Sequence, residues 1–201
     1  MHKVLYIKVN AKPEGTSRTF QISDSFLEVY KKYNPKDKIT TLDLYKEGIR
    51  ELTAQDIQDV FGPKTEESKN HPILKYAYQF LESDKYIFAE PMWNLSVPAI
   101  LKSYIDYICV TGITFKYTET GPVGLCSDKK AVNITTRGGI YSQGPGSDYE
   151  MGDRYLRTIL GFLGIQDYTT ISAESLDVVG KDVAALVQST IEIASEKAKN
   201  F

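Results

Sequence analysis

Short runs rich in β-branched and aromatic residues alternate with helical stretches along the whole chain, and few architectures accept that order. Val4, Leu5, Tyr6, Ile7 and Val9 form a run too short for a helix and read as a buried strand. Further strands are expected at residues 38–44, 85–89, 131–135 and 168–171. Between the first two, Ile22, Phe26, Val29, Tyr30 and Tyr33 recur on one helix face, with Ser17 as the N-terminal cap. Residues 53–83 carry helical patterning broken near Gly62-Pro63 and His71-Pro72. Pro98 opens a helix to about residue 110, and its apolar residues run most of the way around: Ile100, Leu101, Tyr104, Ile105, Tyr107 and Ile108. Such a helix is either central or covered by a second subunit. Another helix is expected over 149–163, closed by Gly164, and a last one bears Val183, Leu186, Val187, Thr190, Ile191 and Ala194. Strand–helix alternation predicts an α/β domain over residues 1–201, a mainly parallel five-stranded sheet with helices on both faces. The doubly wound order 2-1-3-4-5 places a ligand crevice beyond the carboxyl ends of strands one, three and four.

The bulk properties exclude several classes. A net charge of −2 gives no reason to expect nucleic acid or a membrane surface as partner. The N-terminal apolar run is too short for a secretory leader and no run approaches a membrane span, so a cytoplasmic location is expected. Two cysteines, Cys109 and Cys126, and two histidines, His2 and His71, support neither a disulfide framework, a metal site nor a histidine-based nucleophile.

Three loops therefore bear the functional reading. The first, residues 10–19, puts Thr16, Ser17 and Thr19 beside the free N–H groups of a helix start, where a phosphate is stabilised by donors and dipole together. Neither a GxxxxGK[ST] nor a GxGxxG pattern is present, so the phosphate is expected to be a monophosphate end. The second, Pro91-Met92-Trp93-Asn94-Leu95, places apolar residues where a strand-end loop is ordinarily polar, which suits a flat apolar ligand. The third, Thr136-Arg137-Gly138-Gly139, lets backbone approach a ligand closely. Residues 112–129 form a long connection of the kind that is often functional. Asp24, Asp106 and Asp153 read as solvated or capping carboxylates.

Pro91-Met92-Trp93-Asn94, Gly112-Ile113-Thr114-Phe115-Lys116-Tyr117-Thr118, Gly121-Pro122-Val123-Gly124-Leu125, Thr136-Arg137-Gly138-Gly139 and Leu160-Gly161-Phe162-Leu163-Gly164 together resemble the FMN-dependent NADH:azoreductases, which also act as NADH:quinone reductases. The resemblance spans nearly the whole chain. It implies a flavodoxin-like fold and a homodimer with the flavin close to the subunit boundary. It implies that Ser17, Arg18 and Thr19, with Asn10 where relatives often have serine, hold the FMN phosphate. Pro91, Met92, Trp93, Asn94 and Leu95 would lie along the isoalloxazine edge, and Thr136, Arg137, Gly138 and Gly139 on its pyrimidine side. Trp93, Tyr117 and Phe162 would face the second substrate. The implied cycle is ping-pong: NADH or NADPH gives hydride to flavin N5, and a quinone or azo compound then takes two electrons, with no catalytic side chain. The competing expectations are a flavodoxin-like electron carrier without its own nicotinamide turnover and a domain of this fold that has lost its cofactor.

Overall fold

A computed structural model describes every residue of the chain except Glu14, which falls in the loop expected over 10–17. The five expected strands are present as β1 (Lys3–Lys8), β2 (Lys38–Asp43), β3 (Lys85–Pro91), β6 (Lys130–Thr136) and β7 (Asp167–Ala173). They form one parallel sheet in the order β2-β1-β3-β6-β7, which is the doubly wound order. The central strands are buried on both faces, so their side chains alternate between two cores. Val4, Tyr6, Ile87 and Ala89 pack against α1 (Arg18–Tyr33) and α6 (Val183–Ala198). Leu5, Ile7, Tyr86 and Phe88 face α3 (Leu74–Glu82), α4 (Ala99–Ile108) and α5 (Gly152–Phe162), with Val60 of α2 (Ala54–Phe61) in the same layer. Within the chain α4 buries Leu101, Tyr104, Ile105, Tyr107 and Ile108, while Ala99 and Lys102 stay exposed. No helix among the described residues is long and apolar enough to cross a membrane.

Three expectations need correction. Strand three was expected to end at Ala89, with Pro91 as the stop. Glu90 and Pro91 in fact continue the ladder opposite Thr135 and Thr136. Pro91 has no N–H to give, and Met92 N donates to Thr136 O just beyond it. The connection 112–129 is not irregular: β4 (Phe115–Thr118) and β5 (Gly121–Gly124) form an antiparallel hairpin. Asp153 is neither solvated nor a simple cap. Its carboxylate accepts from Asn133 Nδ2 at 3.0 Å, Tyr168 OH at 2.8 Å and Thr170 Oγ1 at 2.8 Å.

The hairpin is locked to α5 through a glycine. A Cβ on Gly124 would stand 2.1 Å from the Leu163 carbonyl carbon and 2.3 Å from Gly164 N. Backbone cannot yield as a flexible side chain can. Gly124→Ala is therefore expected to lift β5 from the end of α5 and to cost about 2–3 kcal/mol in urea unfolding, in the range of overpacked cores. A loss under half a kilocalorie would show that the hairpin is free to move. The clamp matters for position, since β4 carries Tyr117.

Candidate functional site

The first loop is built around a serine that the sequence marks as a cap. Ser17 Oγ accepts Phe20 N at 3.2 Å and Asn10 Nδ2 at 2.9 Å, and it is buried. Asn10 Oδ1 accepts Lys12 N at 3.0 Å, so Asn10 clamps both ends of its loop. Thr16 Oγ1 donates to Pro13 O, which leaves this hydroxyl a role in closing the turn. Among the described residues the N–H groups of Ser17, Arg18 and Thr19 donate to no other group. The first turn of α1 contains no acidic residue. Three donors without a partner among the described residues, at the positive end of a sixteen-residue helix, suit an anion.

The second loop is a tight turn. Trp93 N donates to Ser96 O at 2.9 Å and Ser96 N to Trp93 O at 3.0 Å, enclosing Asn94 and Leu95. Both central residues have positive φ, 49° and 69°. Asparagine tolerates that region; a leucine there stores about 1–3 kcal/mol of strain. Leu95 is held by its carbonyl, which accepts Met151 N at 2.9 Å. The N–H groups of Asn94 and Leu95 donate to nothing among the described residues, and Trp93 is 39% exposed rather than core. Held backbone strain beside free donors and an open indole is the arrangement of a ligand loop.

The third loop joins the first through Thr136 Oγ1 and Thr19 Oγ1, 2.7 Å apart. The N–H groups of Gly138 and Gly139 are also free of partners among the described residues. A Cβ on Gly138 would meet Asp177 Oδ2 at 2.6 Å, so glycine permits this close packing. Arg137 lies between two carboxylates. It is 4% exposed, with Nη1 3.0 Å from Glu174 and Nη2 3.5 Å from Glu150. Glu150 also accepts the N–H groups of Gly152, Asp153 and Arg154, and so caps α5. Glu174 accepts Tyr141 N and Ser142 Oγ. Burial pushes the Glu174 carboxyl up, but Ser142, Arg137 and Tyr141 N together hold it below the ordinary glutamate value. Arg137 is thus a pin between α5 and the segment after β6.

A crevice of about 120 Å³ lies where the loops meet. Its walls include nine residues expected from sequence: Asn10, Arg18, Thr19, Pro91, Met92, Trp93, Thr136, Arg137 and Gly138. Ser17, Asn94, Leu95 and Gly139 stand outside that lining. Lys12, Leu176 and Asp177 line the crevice and were missed. The last two follow β7, a strand end that the rule for switch points leaves aside. Leu176 N and Asp177 N donate to Arg137 O and Gly138 O, so this fourth loop braces the third. Arg18 Nη1 reaches Leu176 O and Asp177 Oδ1, tying α1 to the same brace. Tyr117 and Phe162 come together around Phe115, with ring centroids 5.5 and 4.9 Å from it. Trp93 joins no such ring contact among the described residues. His71 Nδ1 accepts Ile73 N and Leu74 N at the start of α3, so it caps a helix rather than serving a nucleophile.

The group implied by the motifs suits this geometry. An anion cradle, a strained turn with free donors and a glycine loop with free donors converge at one end of the sheet, as a flavin mononucleotide requires of its phosphate and ring edge. Comparison with known proteins agrees. The model of the flavodoxin-like fold family matches residues 2–198. An FMN-dependent NADH:quinone oxidoreductase 2 of Clostridium acetobutylicum is 68% identical over the full length of both chains. An FMN-dependent NADH:quinone oxidoreductase of Caldicellulosiruptor saccharolyticus is 61% identical, again over both full lengths. Among solved structures, an azoreductase from Bacillus anthracis superposes with TM-score 0.90 at 36% identity, covering 100% of both chains. An FMN-dependent NADH-azoreductase from the same species, in complex with FMN, gives 0.88 at 29% identity, covering 100% of this chain and 99% of that one. The chain belongs to the flavodoxin-like family and, within it, to the group of FMN-dependent NADH:quinone oxidoreductases and azoreductases.

Proposed function

We propose that this chain is an FMN-dependent oxidoreductase that takes reducing equivalents from NADH and delivers them to quinones and aromatic azo compounds. The convergence of free N–H groups on three loops at one sheet end carries the reading. Bound FMN would supply the two-electron chemistry, accepting hydride from the nicotinamide and passing the electrons on. The protein's part is to bind and orient. Ser17, Arg18 and Thr19 would hold the phosphate on their N–H groups, with Asn10 fixing Ser17 and Thr19 fixing Thr136. Asn94, Leu95, Gly138 and Gly139 would direct N–H donors at the ring edge, where they stabilise negative charge. Pro91, Met92 and Thr136 would shape the crevice, while Arg137 would set the loop from behind.

Trp93, Tyr117 and Phe162 would meet the acceptor. Since Tyr117 and Phe162 cluster apart from Trp93, the reading includes a homodimer in which one copy's aromatic pair closes the partner's site. The place of action would be the cytoplasm, in keeping with free Cys109 and Cys126. NADPH is the alternative donor. A carrier that only docks to proteins is not favoured, because net charge is −2 and the exposed ring-edge side chains are Trp93 and Leu95.

The direct experiment is steady-state NADH oxidation by the purified protein with FMN and a soluble quinone, without a partner protein. Turnover and bleaching of the flavin absorbance by NADH are expected. Colourless protein that gains no bound flavin from added FMN would overturn the reading. Ser17→Asp tests the cradle. Aspartate caps helices as well as serine, so stability should change by less than about 1 kcal/mol. Its charge beside the phosphate should weaken FMN binding at least about a hundredfold, from repulsion of a few kcal/mol at partly buried distances. Unchanged affinity would place the phosphate elsewhere.

A further inference from the structure

Glu90 is the acid that the scheme above does not use. It stands at the end of β3, is 1% exposed, and belongs to the face of the sheet covered by α5. Asn133, Thr135 and Arg137 follow one another at every second position from β6, so they share that face. Four buried polar atoms in this group have no hydrogen-bond partner among the described residues: Glu90 Oε2, Asn133 Oδ1, Thr135 Oγ1 and Arg137 Nε. Native interiors leave only a few such atoms unpaired, so four in one cluster demand an account.

Their chemistry supplies it. Asn133 Nδ2 already donates to Glu90 Oε1 at 3.2 Å. A neutral Glu90 has an O–H to give, and Asn133 Oδ1 is the acceptor beside it, which closes a carboxyl–carboxamide pair. An ionised Glu90 has no proton to give and needs donors, and Thr135 Oγ1 and Arg137 Nε are the two available. The charges around Glu90 make both states accessible. Arg137 favours ionisation. Asp153 on α5 opposes it, with Glu150 ahead of α5, Glu174 after β7 and Tyr168 on β7 completing the titratable surroundings, and Arg157 at the outer edge. The carboxyl stands well above the ordinary glutamate value, at about 8. Burial is the main cause; Thr135, Asn133 and Arg137 pull it down and Asp153 adds to the rise.

We propose that Glu90 is a positioning residue of the flavin site: neutral, it pairs with Asn133; ionised, it draws on Arg137 and loosens the pin that fixes residues 137–142. The inference rests on the flavin reading only for its consequence. Arg137 is shared by Glu174 and Glu150, and Glu174 in turn holds Tyr141 N and Ser142 Oγ. A third carboxylate at the free Nε brings three negative charges onto one guanidinium, and their mutual repulsion weakens the Nη1 and Nη2 contacts and frees the segment bearing the Gly138 and Gly139 donors. The proton released goes to solvent.

The test uses the full chain, first without ligand. Amide exchange at Tyr141, corrected for intrinsic rate, should lose protection about tenfold between pH 6 and pH 9 in the wild type, a coupling of ordinary size. In Glu90→Gln, which cannot ionise and keeps the Asn133 bond, protection should stay at its pH 6 level. Parallel profiles for the two proteins would overturn the proposal. An infrared titration of the wild type guards against a misfolded variant: a protonated carboxyl band should be present at pH 6 and fade with a midpoint near pH 8, and its absence at pH 6 would overturn the proposal too. Fluorescence titration with FMN then reads the consequence. Wild-type affinity should weaken about tenfold from pH 7 to pH 9 relative to Glu90→Gln, following the same coupling. Exchange that responds as expected while FMN affinity does not would leave the switch standing and remove residues 137–142 from the flavin site.

Discussion

Arg137→Met is expected to lower the unfolding free energy by about 3 kcal/mol at pH 7, the cost of breaking a buried ion pair from one side. Methionine keeps the length of the arginine stem and its packing, so the loss reports the guanidinium. Two carboxylates depend on it, Glu174 at 3.0 Å and Glu150 at 3.5 Å, with side chains only 15% and 12% exposed. Glu150 retains three helix N–H donors, so it suffers less. Glu174 retains Tyr141 N and Ser142 Oγ but no cation, and burial then dominates its environment. The sign with pH follows. In the wild type the folded Glu174 carboxyl is depressed, so its contribution is present above the unfolded carboxylate value and is lost as pH falls through the lower folded value. The gap between wild type and variant should therefore be full at neutral pH and shrink in acid. Urea unfolding at pH 7 and pH 3.5 measures both. A loss below about 1 kcal/mol at neutral pH would class the pair with exposed ion pairs and remove the pin from the site's architecture.

What was legible in the sequence is what burial on two faces writes into it. Val4–Ile7 and Tyr86–Ala89 are apolar without alternation because helices cover both sides. Ser17 was legible because capping is local chemistry. The turn at Asn94-Leu95 was marked by apolar residues in a strand-end loop. The hairpin was not legible: each strand has four residues, and Gly121, Pro122 and Gly124 read as turn signals. Gly124 is glycine because Leu163 backbone passes against it, a contact thirty-nine residues away in sequence. The ion pairs of Arg137 were not legible, because its two partners come from other segments. Glu90 stood outside the expected strand, which ended at Ala89 ahead of the stopping Pro91. The error had a physical source: the charge is suppressed, so the residue occupies a core position in its neutral form.

That suppressed charge fixes the second large effect. Glu90 rises from the ordinary 4.5 to about 8 on folding. Below pH 4.5 the carboxyl is protonated in both states and stability is unaffected. Between there and pH 8 the unfolded chain has released its proton and the folded chain has not, so the folded state binds more protons and stability falls as pH rises. The contribution present at low pH is thus lost progressively and is gone above the folded value. Each pKa unit corresponds to about 1.4 kcal/mol, which puts the full loss at about 5 kcal/mol. Glu90→Gln abolishes this slope, since the amide stays neutral and still accepts from Asn133 Nδ2. The variant should match the wild type within about 1 kcal/mol at pH 4, as isosteric replacements do, and exceed it by about 3–5 kcal/mol at pH 8.5. Urea midpoints across that range decide. A difference that stays constant with pH would mean that Glu90 is ionised throughout, that Arg137 compensates its burial, and that the four unpartnered atoms are satisfied without a proton on the carboxyl.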